Sequence, residues 1–307
     1  MNIFSRLVFC LTVLAFFTAP VPALARLDPP ANCETRPFDK GRLWKVSDGN
    51  SPPSYIFGTM HSSDPRILFL PGVVMQAFNS ASTAIFETSL NDDDLTDNQR
   101  FMLLPPGQSL KSKIGAARFQ VLASIMSAYG VDAATLDRIK IWAAAAIISQ
   151  PPPSRPGSAE MSLLDKELEK SARRSGKNVI ALETNREQLD IFDTMPETVQ
   201  LEYLDQSMDE NKILAEELET ITSYYLSGNT GWIACDLESS LTQASAAFTT
   251  IMTTVLISDR NRHMVERMTP ELKRGNAFVG IGALHLPGKE GVLSLLENQG
   301  YKIERKY

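Results

Sequence analysis

Basic runs are missing from this 307-residue sequence. Lys and Arg total 30 against 36 Asp and Glu, a formal net charge of -6, and no arginine-rich block occurs. That absence counts against nucleic acid as a partner, because the electrostatic footprint of such proteins is a basic patch or stripe. Long apolar runs are missing too once the N-terminus is passed, so no later segment reaches the roughly 20 residues that a membrane span needs. Cysteine is scarce, with three in all. Cys10 lies in the N-terminal apolar stretch, leaving Cys33 and Cys235 for one bridge or two free thiols. The sequence leaves that choice open, because it does not show whether their Cα atoms approach within bridging distance. Neither has the neighbours of a nucleophile or a zinc knuckle. Histidine is equally rare: His61, His263 and His285 are the full set.

What is present begins with a targeting signal. Arg6 supplies a basic start, Leu7 to Phe17 an apolar run, and Ala23-Leu24-Ala25 a small-x-small cleavage site. Residues 1–25 read as a cleavable signal peptide, which makes the mature chain periplasmic or secreted, with no membrane span after cleavage. Residues 26–41 hold three prolines and little pattern, and read as an N-terminal tether. The length allows one large domain or two smaller ones; residues 42–307 read as one.

The pattern along the chain is α/β. Leu43 to Ser47 alternates like a strand, Asp48 to Pro53 is dense in turn formers, and Tyr55 to Met60 pairs back as a hairpin. A short helix after Pro71 leads to the strand Ala84-Ile85-Phe86, a βαβ pattern that predicts a parallel pair. Asn91 to Asn98 is an acidic loop, and Gln150 to Gly157 a proline-rich one. Helical spacing dominates from about 91 to 269, apart from a strand near 179–183. Phe278 to Leu284 is a further strand, followed by a helix ending at Gly300 and an edge strand from Tyr301. The fold class is a central mixed β-sheet with flanking helices and a large helical insertion.

Two strand ends carry the same signature. Gly58-Thr59-Met60-His61 and Gly282-Ala283-Leu284-His285 each place a histidine three residues after a glycine, at the strand end where open α/β sheets hold ligands. The glycines permit close backbone approach or an irregular turn there. A second echo joins Phe86-Glu87-Thr88 to Leu182-Glu183-Thr184, consistent with an ancient duplication. His61, Glu87 and His285 form a three-ligand set that leaves a position open for water, as zinc uses and manganese or cobalt can share. Without metal, a histidine acts as general base with a carboxylate orienting it. Each histidine also has the plain reading of a side chain bonded to a backbone carbonyl. Glu183 is either a second site carboxylate with an acid/base role or a helix-start residue. Arg260, in Asp259-Arg260-Asn261-Arg262, either binds a carboxylate or stabilises a developing oxyanion, or else belongs to a solvated helix face. His263 reads as surface.

The ordered set of these motifs resembles the TraB/GumN family, which is related to the Tiki metalloproteases and more distantly to erythromycin-esterase-like and ChaN-like proteins. The resemblance runs from Leu43-Trp44-Lys45-Val46 through Leu104-Pro105-Pro106-Gly107, Glu187-Gln188 and Asp259-Arg260-Asn261 to Gly300-Tyr301, over roughly residues 42–303. It implies an EreA/ChaN-like fold, and a hydrolase with His61, Glu87 and His285 at the core of its site. It also implies a divalent metal (Zn, Mn or Co), as in the Tiki branch, and a peptide or small-molecule substrate. Arg260 and Asn261 become supporting residues that face the substrate or the oxyanion. Two departures, Ile141-Trp142 where Pro-Trp is expected and Leu163-Leu164-Asp165 where Gly-x-Asp is expected, are read as lying outside the site. Two rival readings remain: a metal-free esterase-like hydrolase with a histidine base, and a non-catalytic protein that binds a peptide or an iron/haem ligand.

Overall fold

The computed structural model describes residues 27–89, 99–153 and 163–307. The expected signal peptide, the whole of the acidic loop at 91–98 and the second half of the proline-rich loop lie outside the described residues. β1 (Leu43–Ser47) turns into β2 (Ser54–Thr59) and pairs with it antiparallel, Leu43 opposite Phe57. The turn is built by Asp48, whose Oδ1 accepts from the backbone amides of Asn50 and Ser51, an Asx arrangement that replaces backbone bonds with side-chain ones. β3 (Thr83–Phe86), β4 (Asn178–Ala181) and β5 (Ala277–Gly282) run parallel to β2, and β6 (Lys302–Arg305) pairs antiparallel with β1 at the edge. The sheet order is β4-β3-β5-β2-β1-β6.

The parallel relation of β2 and β3 follows the βαβ expectation, but they are not neighbours. β5 lies between them, with Thr59 opposite Gly282 on one side and Phe86 opposite Gly280 on the other. β5 is the strand buried on both faces along almost its whole length, and such a run belongs at the centre of a sheet covered on both sides.

Alternation along the strands feeds two cores. Ile56, Ile85, Val279 and Ile281 face the helices Arg260–Arg274 and Val292–Asn298, through Met264, Met268, Leu272 and Leu293. Phe57, Phe86 and Phe278 face the opposite way, onto the helices Gly72–Ser80 and Leu164–Arg174. The helical insertion carries a third core of its own around Trp142, Leu122 and Leu204. The helical section extends past the expected limit at Thr269: the helix continues over Pro270 to Arg274 and stops at Gly275, with φ +74°. Pro270 removes one backbone donor, while buried Leu272 anchors the final turn.

Residues 27–41 contain no helix or strand, as a tether would, yet they are fastened down. Cys33 and Cys235 form a disulfide, with Cα atoms 5.4 Å apart. Arg36 makes two bonds to Glu238, and Gly288 donates to the Pro37 carbonyl. Phe38 packs edge-on against Trp44. No helix among the described residues is long and apolar enough to cross a membrane.

Candidate active site

Because β2, β3, β4 and β5 are parallel, their C-terminal ends share one edge, and their connections leave to opposite faces. That is where a crevice opens in a sheet of this kind. Glu87 directly follows β3, Glu183 follows β4 by one residue, and His285 sits in a single tight turn, Ala283–His285, after β5. Arg260 and Asn261 arrive from above, on the first turn of the helix Arg260–Arg274.

Arg260 is the centre of this group. Its Nε donates to both oxygens of Glu183, at 3.2 and 3.0 Å. One terminal nitrogen donates to Glu183 Oε2 and Glu87 Oε2, both at 2.8 Å. The other donates to the Leu256 carbonyl at 3.2 Å and lies 3.4 Å from His285 Nε2. Leu256 belongs to a π-helical stretch, Ile251–Asp259, that leads into the Arg260 helix; such wide turns recur at functional sites. Gln188 joins the cluster by donating to Glu183 Oε2 at 3.0 Å and reaching Glu87 Oε2 at 3.5 Å. Glu87 Oε1 accepts the Gly282 amide at 2.5 Å.

His285 is gripped from its other side. Asn261 Nδ2 donates to the Glu290 carbonyl at 2.7 Å, so Oδ1 is the atom that meets His285 Nδ1, also at 2.7 Å. The network therefore assigns the proton to Nδ1 and leaves a lone pair on Nε2. That lone pair accepts from the Arg260 terminal nitrogen at 3.4 Å, and Glu87 Oε1 lies 3.7 Å from the same ring nitrogen. Burial lowers the His285 pKa to about 4, with Glu87 opposing and Arg260 reinforcing the effect; the ring is neutral at physiological pH. Burial alone would raise Glu87. The charges of His285, which is protonated at the acid pH where Glu87 takes up its own proton, and of Arg260 and His61, with the Gly282 amide, outweigh it and hold Glu87 below the usual carboxylate range.

His61 stands apart. Its side chain is 61% exposed, and Nδ1 lies 2.9 Å from Asp165 Oδ2. This is an ion-pair distance without hydrogen-bond geometry, so the buried Asp165 oxygen has no directed partner. Asp165 is itself fixed by Thr59, whose hydroxyl donates to Oδ1 at 2.6 Å. The Asp165 contact raises the His61 pKa to about 9, against the effect of burial, and water screens part of that attraction at the exposed edge. His61, Glu87 and Asp165 line one small cavity of about 40 Å³.

The structure thus gathers Glu87, Glu183, Arg260, Asn261 and His285, with His61 outside their hydrogen-bond network but lining a small cavity with Glu87. Among the described residues no group of three His, Cys, Asp or Glu side chains stands ready to hold a metal. The two histidines differ because the chain folds back after Gly282, while after Thr59 it runs on without a helical turn. Both glycines serve close approach and neither needs positive φ. A Cβ at Gly58 would sit 2.7 Å from Leu286 Cδ1, and one at Gly282 would sit 3.1 Å from Glu87 Oε1. Asn261, expected to face a substrate, has both amide ends engaged and is 1% exposed. Arg260 likewise spends its donors on Glu87, Glu183 and Leu256. Asp165, read as outside the site, touches His61. Gln188 was visible only as part of Glu187-Gln188; its spacing of five from Glu183 was the available signal.

No solved structure matches the chain. The uncharacterized protein YbaP of Escherichia coli strain K12 is 22% identical over 82% of this chain and 92% of its own length. The metalloprotease TIKI homolog of Amphimedon queenslandica is 25% identical over 89% of this chain and 63% of its own length. Metalloprotease TIKI1 of Danio rerio is 38% identical over 22% of this chain and 14% of its own length. The two TIKI likenesses link the chain distantly to proteins named as metalloproteases. The TraB/PrgY/gumN family model matches residues 42–305, nearly the whole chain beyond the N-terminal strap, and the protein belongs to that family.

Proposed function

We propose that the protein is an exported hydrolase of peptide or amide bonds, with a divalent metal held by His61, Glu87 and His285. The observation that carries this is the charge balance around Arg260. Two buried carboxylates share one guanidinium, and the imidazole beside them is neutral. One negative charge is left over where water is scarce, and buried charge persists only when compensated. A divalent cation is the compensation that the donor chemistry fits. His285 keeps its unprotonated Nε2 3.7 Å from Glu87 Oε1, Asn261 orients its ring as the hydrogen-bond partners of metal-bound histidines do, and Asp165, paired with His61, lines the same small cavity as Glu87. The bound ion would supply an activated water and a polarised carbonyl.

The chain's own groups have separable tasks in this reading. Asn261 keeps His285 in the tautomer whose Nε2 faces inward. Glu183 and Gln188 hold Arg260, and Glu183, with both oxygens engaged, positions the guanidinium and does not shuttle protons. Arg260 keeps Glu87 ionised. His61, held protonated by Asp165 when no metal is bound, is the group nearest to solvent. The rival reading uses His285 Nε2 as a general base without metal, its neutral state and oriented ring being what such a base needs. The discriminating experiment is peptide cleavage before and after chelation, with zinc, manganese or cobalt added back. Activity that is lost and restored supports the metal reading. Full activity in chelator replaces it with the histidine base.

A further inference from the structure

We infer that the groove between the loop after β2 and the helix Leu214–Leu226 seats an apolar residue of an extended peptide substrate beside the bond to be cut. This rests on the hydrolase reading above and names the substrate side of the same site. The groove has a volume of about 320 Å³ and is lined by Met60, His61, Leu163, Ala215, Leu218 and Thr222, among others. It shares His61 and Leu163 with the small cavity that holds Glu87 and Asp165. That inner cavity has room for a few waters and no more. A substrate whose scissile bond reaches Glu87 therefore keeps its bulk on the outer side of His61, which is this groove. The groove lies at the lower end of the size range for ligand sites, suited to one side chain and its flanking backbone.

Its chemistry selects what enters. The two acids at the rim, Asp64 and Glu219, are both tied to Arg66, at 2.7 and 2.6 Å for the closest contacts. Apart from His61, the remaining lining is uncharged. Met60, Leu163 and Leu218 are only half-buried and Ala215 is exposed, so among the described residues apolar surface stands open next to the proposed reaction centre. Covering it with an apolar side chain is favourable, while a charged one would lose its hydration without gaining a free partner.

The test is cleavage of a mixed library of ten-residue peptides, read by mass spectrometry, for wild type and Leu218→Arg. The wild type is expected to cut beside apolar residues, and Leu218→Arg to move the preference at that one position toward Asp and Glu by about tenfold or more. An unchanged preference in the variant overturns the groove assignment. A wild type that cuts no peptide overturns the hydrolase reading instead. The groove is then judged by fluorescence anisotropy with a labelled leucine-rich decapeptide. Binding that weakens about tenfold in Leu218→Arg and in Ala215→Trp, both at positions not fully buried, supports the groove. Equal binding by all three proteins overturns it.

Discussion

Replacing Arg260 by methionine removes the guanidinium that Glu87 and Glu183 share while keeping an unbranched side chain in its place. In the wild type these carboxylates are 12% and 6% exposed and receive four of the five side-chain hydrogen bonds that Arg260 donates to oxygen. The variant leaves two buried negative charges facing one another, with Gln188 and the Gly282 amide as their remaining support. Breaking a buried ion pair from one side costs about 3–5 kcal/mol. For a chain of this size that is a fall of about 5–9 °C in Tm. The assay is thermal unfolding of the metal-stripped protein at pH 7, by circular dichroism or calorimetry. Adding Glu183→Gln to Arg260→Met deletes one of the stranded charges and should restore about half of the loss, a coupling that a double-mutant cycle reads directly. An Arg260→Met protein as stable as wild type, or a double variant less stable than the single one, would refute the charge argument.

Three further outcomes follow from the same geometry. In metal-stripped protein, His285 titrates near 4 when folded and near 6.5 when unfolded. The unfolded state therefore gains protons first on acidification. Stability should start to fall below pH 6.5 and lose about 3 kcal/mol by pH 4, whereas His285→Gln should flatten that window in a urea titration. Gly58→Ala places a methyl 2.7 Å from Leu286 Cδ1 and 3.1 Å from the Ala283 Cα; a destabilisation of about 1–3 kcal/mol is expected from such overpacking, measured as a shift in urea midpoint. Cys33→Ser opens a bridge between residues 202 apart in sequence and should cost about 2–5 kcal/mol. A Cys33→Ser protein with an unchanged midpoint would show that Arg36, Glu238 and the Pro37–Gly288 bond hold the strap alone.

The fold was legible where local chemistry decides it. The hairpin follows from alternation and the Asp48 turn, and the edge position of β6 follows from its thin, alternating pattern. The neighbour relation of β2 and β3 was not, because adjacency in a sheet is settled by which strand most needs burial on both faces, and that strand, β5, comes nearly 200 residues later in the chain. Both echoes in the sequence correspond to real neighbours, β3 with β4 and β2 with β5, but each is displaced by one position. Gly58 lies opposite Ile281 rather than Gly282, and Phe86 lies opposite Ala181 rather than Leu182. The proposed ligands His61, Glu87 and His285 are residues that the sequence already places at strand ends. Their supports were not, because Asp165 and Gln188 act through contacts that depend on how separate helices dock. The π-helical approach to Arg260 has no sequence signal of the kind that glycine, proline or alternation provides.

The most direct test of the central claim is metal content per chain, measured on mature protein purified without chelator and then incubated with zinc, manganese or cobalt, for wild type and His285→Ala. The account predicts close to one ion per wild-type chain and loss of that ion in the variant, because His285 supplies the inward lone pair and Glu87 the facing oxygen. A wild type that remains empty after incubation, or a His285→Ala protein that binds metal as fully as wild type, would contradict it.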